Sequence, residues 1–142
     1  MTARLPSTPV SEAPVSEAAV SEASVRALVA ARAAMAKNGT DIAVLEVGAI
    51  IAIIESFVLV SASNTRLVLS IVDEVEQALA AHDGSRPLSI EGRNDANWVL
   101  IDYGDVVVHI FVEATRAYYD LDRLWSDASR IDVVDEPAAA PR

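Results

Sequence analysis

The chain contains no cysteine. Disulfides and thiolate-held metal centres are therefore excluded, and a reducing compartment is compatible. Aromatic residues are scarce, 5% of the 142 residues, so each one carries more weight in any surface argument. Bases are outnumbered: 11 Lys and Arg stand against 21 Asp and Glu, a formal net charge of −10. Direct nucleic-acid binding wants a basic patch facing phosphates, and this balance argues against it. Apolar runs are short as well. Gly48–Ile54 is apolar, but Glu55 breaks it and Glu46 precedes it, well below the roughly 18 residues of a spanning helix. The N-terminus lacks the basic-then-apolar pattern of a secretory signal, so a cytoplasmic location without membrane contact is expected. There is no G-x-x-x-x-G-K-[ST] phosphate loop.

The length suits one small domain with a single core. Val10-Ser11-Glu12-Ala13, Val15-Ser16-Glu17-Ala18 and Val20-Ser21-Glu22-Ala23 repeat with period five. That period matches neither helix nor strand, and Pro6, Pro9 and Pro14 interrupt helix formation. Residues 1–23 are therefore expected to form a disordered low-complexity tail, 24–131 the folded domain, and 132–142 a second disordered tail. Between the tails, 24–131 holds fifteen acids and nine bases. An acidic domain with a macromolecular target suggests a basic protein partner.

The coarse pattern is helix, two strands, helix, three strands, helix. Ser24 is a candidate cap for a first helix with apolar positions at Val25, Leu28, Val29, Ala33 and Ala36, ended by Asn38-Gly39. Strands are expected at 41–47 and 55–61. Leu67, Val68, Ile71, Val72, Val75, Ala78 and Leu79 recur at helical spacing over 65–81. A short edge strand follows at 88–91, and a last helical region begins at Ala114. The fold class is α/β: a single mixed sheet of about five strands with packed helices.

The most informative stretch is Trp98-Val-Leu-Ile-Asp-Tyr-Gly-Asp-Val-Val-Val-His-Ile-Phe111. Two runs rich in β-branched and aromatic residues flank Gly104-Asp105, a hairpin-turn signal. A two-residue loop pairs 103 with 106, 101 with 108 and 98 with 111. One face then carries Val99, Ile101, Tyr103, Val106, Val108 and Ile110, and is expected to be core. The other carries Trp98, Leu100, Asp102, Val107, His109 and Phe111, a mixture suited to protein recognition. The nearest partner expected for His109 on this face is Asp102, diagonal across the hairpin. Arg66 and Arg116 are expected to pair with surface acids, and Trp125 to plug the core.

The hairpin also resembles the signature of the ribosomal silencing factors, or Iojap-related proteins. The resemblance extends from about residue 24 to 130. It runs through Lys37, 41–47, Phe57-Val58-Leu59-Val60-Ser61, Ser63-Asn64-Thr65-Arg66, Pro87, Glu91-Gly92, Arg116, Tyr118-Tyr119-Asp120-Leu121 and Arg123-Leu124-Trp125. Glu55-Ser56, the apolar 49–54 stretch, Leu67 and Asp122 depart from the family pattern. The apolar stretch marks a candidate homodimer surface for the free protein.

The resemblance implies a nucleotidyltransferase-like fold and a translational repressor. Such a protein binds the large ribosomal subunit through large-subunit ribosomal protein fourteen and sterically blocks joining with the small subunit. The contact residues it implies are Trp98, Leu100, Asp102, Tyr103, Asp105 and His109. Two alternatives stand beside this reading: a ribosome-assembly or adaptor protein that binds without silencing, and a nucleotide-using enzyme. Nucleotidyl transfer needs carboxylates that share metal ions. Asp41 and Glu46 are five apart, Asp120 and Asp122 lie in a helical region, and Asp102 and Asp105 flank a turn. No catalytic residue, metal or cofactor is expected.

Overall fold

The computed structural model describes residues 21–48, 53–120, 123, 126–131 and 133. Trp125, the period-five repeat before Ser21, residues 49–52 of the apolar stretch and the end of the chain after 133 lie outside them.

Helix α1 spans Glu22–Ala36 and is capped by Ser21, whose side chain accepts from the Ser24 amide. The sequence suggested Ser24 as the cap. Ser21 fits better because Glu22 then lies in the first turn, where a negative charge suits the helix dipole. The buried face matches expectation only in part. It is the alanine row Ala23, Ala27, Ala30, Ala31, Ala33 and Ala34, with Leu28 and Val29 partly buried beside it, while Val25 is exposed. Small side chains allow α1 to lie close to the sheet and its neighbour, so backbone proximity outweighs side-chain size.

Strand β1 (Thr40–Glu46) runs antiparallel to β2 (Ser56–Ala62), with an irregularity between Thr40 and Ala43. Every residue of β2 is buried, the pattern of a central strand covered on both faces. Helix α2 (Thr65–Asp83) starts at the Asn64 cap and ends at Gly84 in the left-handed conformation. Its stripe of Val68, Ile71, Val72, Val75 and Leu79 is buried, as the helical spacing required. The short strand β3 (Ser89–Glu91) follows, then the hairpin of β4 (Trp98–Asp102) and β5 (Val106–Val112). Helix α3 (Glu113–Tyr119) and strand β6 (Ser129–Ile131) complete the described elements.

One mixed sheet results, in the order β3-β4-β5-β2-β1-β6. Among the described strands only the β2–β5 pair is parallel; the other pairs are antiparallel. The sixth strand exceeds the expected five. At three residues with an exposed, polar start, β6 gives no alternation to read; its pairing with Val44, Leu45 and Glu46 forms it.

The two faces of the sheet are covered unequally. Helices α1 and α2 lie over one face and enclose Val44, Val58, Val60, Val99, Ile101, Val106, Val108 and Ile110. The opposite face carries a smaller cluster of Ala43, Leu45, Val47, Phe57, Leu59, Val107 and Phe111, flanked by the partly buried Trp98 and Leu100. The hairpin therefore stands between the main core and a thinner, partly open layer.

Candidate functional site: the open face of the β4–β5 hairpin

The hairpin register matches the sequence reading: Trp98 pairs with Phe111, Leu100 with His109, Ile101 with Val108 and Asp102 with Val107. The Tyr103 amide donates to the Val106 carbonyl at 2.9 Å. Gly104 has φ +98°, a conformation that a Cβ disfavours. The tip is fixed further by the Asp102 carboxylate, which accepts from the Gly104 amide at 2.8 Å. It is joined to β2 as well, because the Asp105 carbonyl accepts from the Glu55 and Ser56 amides at 2.8 and 3.1 Å.

The face assignment holds, but the exposure along that face is graded. Trp98, Leu100 and Asp102 are half-buried. Val107, His109 and Phe111, one strand further in, are buried. The physical reason is position. β4 lies next to the edge strand, whereas β5 is flanked by β4 and β2. His109 is thus an inner residue rather than a free contact.

His109 is enclosed by aromatic rings. Phe57 meets it edge-on with centroids 4.9 Å apart, and Phe111 stacks on it at 5.9 Å with an interplanar angle of 8°. Its hydrogen-bond partner is Trp98, whose indole N–H donates to Nδ1 at 3.1 Å. The expected Asp102 is not its partner, because that carboxylate turns to the hairpin tip. Burial lowers the imidazole pKa from 6.5 to about 4, so the ring is neutral at physiological pH.

Tyr103 lies on the core face, as the alternation required, and not at the accessible contact position that the resemblance implied: the residue is 7% exposed, and its hydroxyl is buried without a hydrogen-bond partner among the described residues. Its ring lies beside Arg26 of α1, 5.7 Å from the guanidinium carbon, on the helix-covered side of the sheet. Burial pushes its pKa from 10 to about 12. Asp105 also turns toward α1, where its carboxylate meets Arg26 at 2.6 Å. The six residues implied by the resemblance therefore divide. Trp98, Leu100 and Asp102 form an accessible row, His109 underlies it, and Tyr103 and Asp105 belong to the tip.

Two clefts meet at Trp98. One, of about 440 Å³, is lined by residues that include Asp95, Asn97, Trp98, Thr115, Tyr118 and Tyr119. The other, of about 320 Å³, lies among Glu91, Gly92, Trp98 and Leu100. Tyr119 approaches the Trp98 ring with centroids 5.1 Å apart, and Tyr118 meets Tyr119 at 5.0 Å. Both tyrosines are exposed, at 82% for Tyr118 and 52% for Tyr119. Helix α3 spans only Glu113–Tyr119 and leaves both open. Gly92, φ +92°, packs so closely that a Cβ there would collide with the Trp98 carbonyl oxygen. The signal that could have extended the site to α3 was the Tyr118-Tyr119 pair only seven residues after Phe111.

Arg116 behaves differently from its expected surface pairing. It is 8% exposed, and its guanidinium donates to the Asp41 carbonyl at 2.5 Å and the Ser61 hydroxyl at 2.9 Å. It ties α3 to the β1–β2 pair. Among the described residues no cluster of acids and histidines is arranged to hold a metal ion. Asp102 and Asp105 do not converge on one point: the first caps the tip and the second meets Arg26. Among the described residues no helix is long and apolar enough to cross a membrane.

Helices α1 and α2 cover one face of the mixed sheet, and the aromatic Trp98 row lies on the other, beside Tyr119 of α3. Comparison with known proteins shows the family. Residues 20–142 match the family described as RsfS, ribosomal silencing factor during starvation. The ribosomal silencing factor of Bacillus subtilis is 35% identical over 105 residues, covering 74% of this chain and 88% of that protein. The Halalkalibacterium halodurans factor is 35% identical over 68% of this chain and 82% of its own length. A Chromobacterium violaceum crystal structure superposes with a TM-score of 0.70 at 28% identity, covering 75% of this chain and 88% of that one. The chain belongs to the ribosomal silencing factor family.

Proposed function

We propose that this protein is a translational repressor that binds the large ribosomal subunit through large-subunit ribosomal protein fourteen and prevents the small subunit from joining. The Trp98 row carries the reading. An aromatic side chain stands half-exposed between two clefts, beside Leu100, with Glu91 and Asp95 lining those clefts and Asp102 at the far end of the same strand. Aromatic anchors supply much of the energy of protein interfaces. Surrounding carboxylates favour a basic partner and speed its encounter. Ribosomal proteins that sit on RNA are commonly basic, and the net charge of −10 keeps the repressor off the RNA itself.

The mechanism is occlusion and requires no bond chemistry. A domain seated on the surface that faces the small subunit occupies the space of that subunit. Repression then equals occupancy, so it follows from affinity and concentration alone. The protein acts in the cytoplasm, where the subunits meet. Cosedimentation tests this directly. With purified subunits the protein should travel with free large subunits and lower the yield of joined ribosomes in proportion to its occupancy. Cosedimentation with joined ribosomes would contradict occlusion.

A second reading has its own observation. A mouse relative named "Mitochondrial assembly of ribosomal large subunit protein 1" is 29% identical over 72% of this chain and 46% of that protein. An assembly factor would use the same face on a precursor of the large subunit. Accumulation of immature large particles in depleted cells, with normal joining by mature subunits, would favour that role.

A further inference from the structure

Trp98 is placed at the centre of the docking face, and an indole joined to a strand by two rotatable bonds is not held there by its backbone. Its N–H is a donor only, and the N–H of a part-buried indole usually finds an acceptor. The structure supplies one from below: His109 Nδ1, at 3.1 Å. Because Nδ1 accepts, the proton of the neutral ring must sit on Nε2. That second nitrogen is buried and has no hydrogen-bond partner among the described residues. An apolar side chain of similar size would avoid this cost. The imidazole itself is fixed by the edge-on Phe57 ring and the stacked Phe111 ring. A rigid inner ring thus holds an outer one.

We infer that His109 is a positioning residue, whose Nδ1 holds the Trp98 indole in the orientation that the ribosomal partner meets. This inference rests on the reading of Trp98 as the docking anchor. The gain is preorganisation. An indole already held in one rotamer does not have to be ordered during association. His109 is assigned no direct contact with the partner, since it is only 7% exposed.

The test separates positioning from mere packing. In the wild-type protein, nitrogen NMR should show His109 protonated at Nε2 and bare at Nδ1. The Trp98 indole proton should exchange slowly with solvent. His109→Phe keeps an aromatic ring and removes the acceptor. It should speed indole exchange at least about tenfold and weaken large-subunit binding by about two- to tenfold, the range expected for ordering one side chain. His109→Asn, which places an acceptor near the Nδ1 position, should recover much of both. Val72→Ala, on the helix-covered side, should destabilise the fold yet leave indole exchange in the folded state and binding unchanged.

A proton on Nδ1, or an indole as protected in His109→Phe as in the wild type, would overturn the tether. Wild-type affinity in His109→Phe with a freed indole would overturn its role in binding. Trp98→Ala distinguishes the two layers. If that variant binds normally, the docking reading fails, while the tautomer and indole measurements still decide the tether. If His109→Phe does not fold, the wild-type tautomer alone decides it.

Discussion

The Arg26 guanidinium lies 2.6 Å from the Asp105 carboxylate, joining helix α1 to the tip of a hairpin 79 residues further along the chain. The same guanidinium reaches Asp83 at the end of α2, at 3.2 Å. One arginine, largely enclosed, therefore ties both covering helices to the turn whose geometry sets the register of the binding face.

Asp105→Ala should cost about 1 kcal/mol of stability, because its carboxylate is partly exposed and such pairs contribute modestly. Asp105→Lys should cost more, since a second cation then faces Arg26. Both variants should fold, because the tip is also held through the Asp105 carbonyl by the Glu55 and Ser56 amides. Denaturant titration measures the difference. If Asp105 also contacts the basic partner, Asp105→Lys should additionally weaken ribosome binding and reduce its salt sensitivity. Equal loss of stability and unaltered binding would assign Asp105 to the hairpin tip alone.

Arg116→Met should be more damaging. The buried guanidinium satisfies the Asp41 carbonyl and the Ser61 hydroxyl, and its removal leaves both without that donor. A loss of about 2–3 kcal/mol is expected, with α3 as the element most affected. Hydrogen exchange should show α3 amides losing protection more than those of α2. Uniform loss across the sheet would contradict a local tie.

Acid should destabilise the protein through His109. Its pKa falls from 6.5 in the unfolded chain to about 4 in the fold, by burial. The unfolded state therefore takes up the proton first as pH drops. This contribution is complete above pH 6.5 and is lost as pH falls toward 4, by on the order of 3 kcal/mol. His109→Phe should lack that part of the acid loss. Tyr103 acts at the other extreme. Its pKa is raised to about 12, so its contribution is complete below pH 10 and is lost as pH rises through 12. Melting curves at stepped pH check both signs.

Much of this was legible in the sequence, for identifiable reasons. The hairpin register was, because Gly104-Asp105 allows few loops and the flanking residues alternate. The α2 stripe was, because large apolar residues recur at helical spacing. The buried face of α1 was legible only in part: Leu28, Val29 and Ala33 do face the core, but periodicity of large residues also points to Val25 while close approach selects alanine. β6 was not, since its pairing is set by β1 rather than by its own three residues. At the site, the shared face of Trp98, Leu100 and Asp102 followed from alternation alone. The core position of Tyr103 followed too, but the burial of His109 did not, because alternation assigns a face without saying how deeply it is covered. The inward turn of Arg116 has no local pattern: its acceptors are 55 and 75 residues away.

The two faces of the hairpin should respond oppositely to substitution. Val108 is fully buried beneath the helices, so Val108→Asp should abolish folding by burying an unpaired charge. Circular dichroism would show it. A folded Val108→Asp protein would reverse the face assignment.

The most direct test of the docking reading is sedimentation of Trp98→Ala with purified large subunits, beside a subunit-joining assay. The variant should retain the wild-type circular dichroism spectrum. Its binding should weaken by about 2 kcal/mol or more, as for a central aromatic anchor, and subunit joining should recover to the same degree. A folded Trp98→Ala protein that pellets fully with large subunits and still blocks joining would contradict the account.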